Sequence, residues 1–314
     1  MRELKENNFV SNVIYIRNCE ADILPFLGSL YELMEKNFGQ YEFIFVNDAS
    51  CDDSARLVRE FFENKGRKSA VTLLNMGGFQ GIEAAMAAGI DLAIGDYIFE
   101  YDTVFIDYET SLIMDIYDRC VAGKDVVAAV PKRSRSLLSG IFYAVYNHTS
   151  GGTGEYIHSE TFCIVSRRAI NRVNAMVRNI PYRKALYASC GLPVENVKYA
   201  RTRTSAERKE KIEVENRVDL AVNTFALFTN VIEKGTLFLS MCFLLFSIAV
   251  GVYVCVIYFG ADKPVEGWAP LMGFLSAAFF GVFLIFTIVI KYLALILNMI
   301  FVKEKYKIES VEKL

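Results

Sequence analysis

The sequence predicts an α/β domain built on a mostly parallel sheet, followed by two membrane-spanning helices. Three observations predict it. Strand-like and helix-like segments alternate through the first 130 residues. The strand-like segments end in polar or glycine-bearing turns. Residues 236–302 carry only Asp262, Lys263, Glu266 and Lys291 as charges, while residues 1–233 hold most of the rest. Alternation of this kind gives parallel pairing with helices on both faces. The charge split separates a soluble part from a membrane segment.

Asn12–Ile16 and Tyr41–Val46 read as the first two strands, aromatic and β-branched. Between them Asp22–Asn37 places apolar residues at helical spacing. Asp52–Glu63 is a second helix, with Ser50 as its expected N-cap. Val71–Leu74 is the third strand, Gly81–Ile94 a helix of small residues, and Tyr97–Tyr101 the fourth strand. Asp107–Ala122 is helical and Asp125–Val130 is the fifth strand.

Thr236–Tyr258 and Trp268–Ile290 are two uncharged runs of 23 residues. At about 1.5 Å per residue each reaches across a ~30 Å hydrocarbon core. Neither shows the polar face of a buried amphipathic helix. Tyr258 and Trp268 stand where an aromatic belt belongs. Lys234 precedes the first run, and Lys291, Lys303, Lys305 and Lys307 follow the second. The positive-inside rule then puts both termini in the cytosol and the short loop outside, as an inner-membrane protein. The stretch after Lys291 is read as an interfacial helix in preference to a continued span. The expected organisation is a domain over 1–200, a basic juxtamembrane segment over 201–233, a two-helix hairpin over 234–302 and a tail over 303–314. Such a small anchor also suits packing with copies of itself.

Composition narrows the chemistry. A net charge of −2 gives no basic field for nucleic acid. The seven cysteines include no CxxC pair, which favours free thiols over zinc or disulfides. Two histidines, His148 and His158, supply neither a histidine metal site nor a Ser-His-Asp triad well. The opening MRELKENNFVSN lacks the apolar run of a signal peptide.

Ligands of open α/β sheets bind beyond the carboxyl ends of the strands. Here those ends read Asn47-Asp48-Ala49-Ser50, Asn75-Met76-Gly77-Gly78, Tyr101-Asp102-Thr103 and Pro131-Lys132-Arg133-Ser134-Arg135. Carboxylates hydrogen-bond a base or ribose, or hold a divalent cation. Arginines hold phosphate bidentately. Together the rim suits a nucleotide diphosphate. Singly, Asp48 and Ser50 are also helix caps, Gly77-Gly78 a turn and Lys132–Arg135 a solvated loop. Arg201, Arg203, Arg208, Lys209 and Lys211 form a basic stretch before the first apolar run, suited to anionic headgroups or to a solvated face. The loop Ser150–Gly154 and Glu160 are weaker candidates, for a lid and for a base.

The order of these motifs resembles the family 2 glycosyltransferases of the GT-A fold, in the polyprenyl-phosphate branch that includes dolichol-phosphate mannose synthase and bactoprenol glucosyltransferases. The resemblance runs over nearly the whole chain, through FIFVNDASCDDSARLV, LLNMGGFQGIEAAMAAGIDLAIGDYIFEYD, FYAVYN and KYLALILNMIFVKEKYKIESV. It implies that Asp48 binds base and ribose, with Ser50, Asn75 and Gly77 beside it. It implies that Asp102 contacts the nucleotide and holds Mg²⁺ or Mn²⁺, with Asp107 as a replacement ligand. It makes Arg133 a phosphate-binding catalytic residue, with Arg135, Arg201 and Arg203 toward the acceptor phosphate. The implied reaction moves a sugar from a nucleoside-diphosphate sugar, expected to be a UDP sugar, to a polyprenyl phosphate in cell-envelope synthesis. Val104 replaces the second Asp of the DxD motif, Ile106 a glutamine, Asn47 an aspartate and Cys163 an arginine. These departures open the alternative of a binding or scaffold subunit.

Overall fold

A computed structural model describes residues 5–65, 69–132, 162–176, 182–202, 268–301 and 305–314, with 238–239, 241–243, 245 and 249. The chain divides into two compact units, Met1–Thr224 with Glu304–Leu314, and Phe225–Lys303.

The first unit is an eight-stranded sheet with helices. In chain order its elements are β1 (Glu6–Ile16), α1 (Glu20–Asn37), β2 (Phe38–Asn47), α2 (Ser54–Lys65), β3 (Ala70–Met76), α3 (Ile82–Leu92), β4 (Tyr97–Tyr101), α4 (Ser111–Val121), β5 (Val126–Pro131), β6 (Phe162–Ser166), α5 (Arg167–Met176), α6 (Arg183–Ser189) and β7 (Val194–Tyr199). The last strand, β8 (Ile308–Lys313), comes from the C-terminus. The strand order is β7-β5-β6-β4-β1-β2-β3-β8. Pairing is parallel except where β6 meets β4 and β5, and where β8 meets β3. The mostly parallel α/β sheet expected from the alternation is therefore present. After β3 the chain returns to the other side of β1, and the resulting switch point between β1 and β4 is where such sheets form a ligand crevice.

Burial on both faces explains the strand sequences. Phe43, Ile44, Phe45 and Val46 of β2 are all buried, so the strand reads as a continuous apolar run. On one face α1 sends Ile23, Phe26, Leu27, Leu30, Tyr31 and Met34 inward at helical spacing. Helix α3 packs on β1 and β2 through small residues. A Cβ on Gly89 would lie 2.5 Å from Val13 Cγ1 and 2.7 Å from Val46 Cγ2. Only glycine fits so close an approach.

Several boundaries move from their expected places. Helix α2 begins at Ser54, and Asp52 rather than Ser50 accepts the Ser54 amide, at 3.1 Å. Helix α4 begins at Ser111, after Asp107, whose carboxylate is drawn to Tyr199 instead. The largest difference is the C-terminus, expected as a tail. It forms β8, which covers the open edge of β3. Glu312 accepts two hydrogen bonds from Arg59, at 2.7 and 2.9 Å, and the Leu314 amide donates to Val71 O at 2.9 Å.

In the second unit α7 (Trp268–Phe301) runs 34 residues with Lys291 as its one charged residue. It continues without a break through Lys291, so the following stretch extends this helix and does not start a separate interfacial one. A Cβ on Gly281 would lie 2.5 Å from the Phe243 ring, so the two apolar segments meet there closely. Among the described residues no helix is long and apolar enough to cross a membrane.

Gly89→Ala sets two effects against each other. Alanine gains about 1 kcal/mol in helix propensity. Overpacking against the stiff side chains of Val13 and Val46 costs about 1–3 kcal/mol and wins. The expected result is a thermal unfolding midpoint lowered by about 2–4 °C per kcal/mol lost.

Candidate functional site

Parallel direction brings the ends of β1, β2, β3 and β4 to one rim, where Arg17, Asp48 and Asp102 follow their strands and Asn75 stands near the end of β3. Asp48 is fully buried. Its Oδ1 accepts the Gln80 amide at 2.9 Å; its Oδ2 accepts the Gly81 amide at 2.9 Å and the Tyr15 hydroxyl at 3.0 Å. Burial raises its pKa, more than these three donors lower it. The carboxylate of Asp48, expected to bind base and ribose, is held by the chain and shapes the turn from β3 into α3. Ala49 beside it sits at φ 53°, a left-handed conformation that costs a non-glycine residue about 1–2 kcal/mol. Arg17 Nη1 donates to the carbonyls of Asp48 and Ala49 at 2.7 and 3.0 Å, holding that turn. The Arg17 guanidinium also lies 4.0 Å from the Phe79 ring centre.

Asn75, Gly77 and Ser50 are also committed to the fold. Asn75 donates to Ser310 Oγ and Glu312 Oε1 and accepts from Asn47. The Gly77 amide donates to Lys307 O at 2.9 Å. Ser50 Oγ accepts the Asn18 amide at 3.3 Å. The third strand end therefore meets the C-terminal segment in this structure.

Asp102 is different. It is 16% exposed, and both its oxygens face cations from α6: Arg183 Nη2 at Oδ1, and Lys184 Nζ at Oδ2, 2.7 Å away. Arg183 is almost wholly buried. Its Nε donates to Glu100 Oε2 at 2.6 Å, and its Nη1 lies 3.2 Å from Glu83 Oε1 without forming a hydrogen bond. The Tyr187 hydroxyl donates to the other oxygen of Glu100. One guanidinium thus joins α3, β4 and α6. Burial would raise the pKa of Asp102, but Arg183 and Lys184 outweigh it and hold the carboxyl below its usual range. Burial raises Glu83, overcoming the pull of Arg183.

The metal ligands expected from the resemblance do not fit this arrangement. Val104, in the place of the second DxD carboxylate, is buried and apolar. Asp107 is fully buried, accepting the Tyr199 hydroxyl at 2.7 Å and paired with Arg201 at 3.1 Å. Asp107, expected as a replacement metal ligand, and Arg201, expected toward the acceptor phosphate, are paired with each other here. Among the described residues no group of three or more His, Cys, Asp or Glu can hold a metal ion. Arg133, Arg135 and Arg203 lie outside the described residues, as do Ser150–Gly154 and Glu160. None of the described cysteines forms a disulfide.

Sequence reasoning missed Arg183 and Lys184. A signal was present in Glu100, an ionisable residue inside the apolar strand YIFEY, because a buried carboxylate needs a cation.

Two substitutions test these roles. In Asp48→Asn, either amide orientation turns an NH₂ toward a backbone N–H of Gln80 or Gly81. The expected cost is about 1–3 kcal/mol, read by chemical denaturation, with faster hydrogen exchange at those two amides. Arg183→Met leaves Glu100 buried without its cation and is expected to cost about 3–5 kcal/mol in the same denaturation measurement.

Comparison with known proteins agrees with this architecture. Residues 11–103 match the model of glycosyl transferase family 2. A Bacillus subtilis (strain 168) protein named as the uncharacterized glycosyltransferase YkcC is 25% identical over 279 residues, 83% of this chain and 81% of its own. An undecaprenyl-phosphate 4-deoxy-4-formamido-L-arabinose transferase of Klebsiella pneumoniae (strain 342) is 34% identical over 122 residues, 38% of this chain and 36% of its own. In fold, the chain resembles the mannosyltransferase PcManGT of Pyrobaculum calidifontis, solved with GDP-Man and Mn²⁺, with a TM-score of 0.51 at 15% identity, over 95% of this chain and 89% of that one. The strand ends that form the rim lie in the segment that matches glycosyl transferase family 2, and the chain is similar over most of its length to a protein named as a glycosyltransferase.

Proposed function

We propose that this chain is a glycosyltransferase that is anchored in a membrane by residues 225–303 and moves a sugar from a nucleoside-diphosphate sugar to a polyprenyl phosphate. The observation that carries the reading is that both ends of the apolar unit Phe225–Lys303 run into one folded unit, which contains Met1–Thr224 and Glu304–Leu314. A segment tethered in this way crosses a bilayer an even number of times, which fits a two-helix hairpin. Leu271, Leu275, Phe279, Val282, Phe286 and Leu293 of α7 are all exposed, an apolar stripe that water would not tolerate and lipid would. The lysines flanking the apolar runs favour termini on the cytosolic side of an inner membrane. The undecaprenyl-phosphate transferase among the relatives supports the acceptor class.

In this reading an oxygen of the lipid phosphate attacks the anomeric carbon. The bond from that carbon to the donor diphosphate breaks, and the diphosphate leaves with the electron pair, inverting the centre. The acceptor is already an anion, so no side chain has to remove a proton from it. Stabilising the departing diphosphate is then the main electrostatic task, one for cations at the rim. The donor in our reading is a UDP sugar.

The test uses the full chain in nanodiscs with undecaprenyl phosphate and a panel of radiolabelled UDP- and GDP-sugars. Labelled lipid from one donor is expected. Absence of labelled lipid from every donor, with free sugar or another acceptor labelled instead, would overturn the lipid-phosphate reading.

A further inference from the structure

We propose that Arg183 and Lys184 take the place of the divalent cation at Asp102, so that the chain binds the donor diphosphate without a metal ion. The inference rests on the nucleotide-sugar reading above and adds a cation source to it.

A divalent cation at a nucleotide site is held by one or two carboxylates together with the substrate phosphates. At Asp102 both carboxylate oxygens already face cations of the chain. Lys184 Nζ lies 2.7 Å from Oδ2, Arg183 takes Oδ1, and the second position of the motif is the buried side chain of Val104. The nearby carboxylates Glu83 and Glu100 are turned onto the same guanidinium. A metal ion would have to displace two cations that the fold already holds in place.

Those cations are also placed to act. Lys184 is 10% exposed beside the partly open Asp102, so its ammonium is reachable from the rim. Arg183 Nη1 is buried, with no hydrogen-bond acceptor in the structure, although Glu83 Oε1 is near. Anchoring by Glu100 on a core strand fixes the guanidinium, and a fixed cation stabilises charge on a diphosphate without reorganising at the moment of reaction. Across the strand pair Glu100 faces Cys163, the position where the family resemblance led to an arginine. The positive charge in this chain comes instead from α6.

The experiment uses the purified full chain in detergent. Mn²⁺ alone is titrated and followed by electron paramagnetic resonance, which reads bound against free ion. UDP and GDP binding is measured by calorimetry in EDTA and in Mn²⁺. The expected result is no stoichiometric Mn²⁺ binding by the chain alone, and a nucleotide affinity that agrees within about twofold in the two conditions. Lys184→Gln is expected to weaken nucleotide binding in EDTA by about tenfold, and Lys184→Arg to restore it to within about threefold. Stoichiometric Mn²⁺ binding without nucleotide, nucleotide binding that requires Mn²⁺, or unchanged affinity in Lys184→Gln would each overturn the inference. Failure of both nucleotides to bind in either condition would instead overturn the donor reading, and this inference with it.

Discussion

The guanidinium of Arg183 is the contact on which the site depends. A carboxylate inside a core strand is costly unless paired, and Glu100 is paired by Arg183 and Tyr187. The same guanidinium reaches Glu83 on α3 and Asp102 at the end of β4. One side chain therefore fixes α6 against the sheet, positions the rim carboxylate and sets its charge. In a low-dielectric interior such a network has one satisfied arrangement, which makes it a source of specificity as well as stability.

A second constraint comes from the closing of the sheet. Edge strands expose unpaired backbone groups. The β3 edge is covered by β8, which the chain reaches only after the apolar unit. Gln80 exchanges two hydrogen bonds with the backbone of Lys307, while its own amide is held by Asp48. The C-terminal segment thus contributes to the turn between β3 and α3. Asn75 and Gly77, which a linear reading assigns to a ligand, are spent on this contact instead.

The two ends of the rim consequently differ. At β2 and β3 the polar side chains face one another and the C-terminal strand, and they fix backbone shape. At β4 the carboxylate of Asp102 and the ammonium of Lys184 lie partly open, over the buried guanidinium of Arg183. The reaction proposed here needs charge placed where a diphosphate departs, and that end of the rim carries charged groups. The substitution of Val104 for a carboxylate removes a ligand from a site that Arg183 and Lys184 already fill.

Much of the fold was legible in the sequence because it rests on local patterns. Alternating periods of apolar residues named the first five strands and their helices, and polar turns marked the ends of those strands. Length without charge marked the two apolar segments. The strands β6, β7 and β8 were missed because they lie outside the alternation of the first 130 residues, and β7 and β8 carry polar residues that read as loop or tail. The site was legible as a rim but not as a set of contacts. Asp48, Asn75, Asp102 and Asp107 look alike along the chain, each a polar residue at or near a strand end. Tertiary structure separates them, because their partners Gln80, Ser310, Lys184 and Tyr199 come from segments 32 to 235 residues away. The sequence determined which residues could carry charge at the rim, since strand direction follows from local pattern. Which of them stay near solvent, and which are neutralised in the fold, was decided by the long-range partners that burial forces each polar group to find.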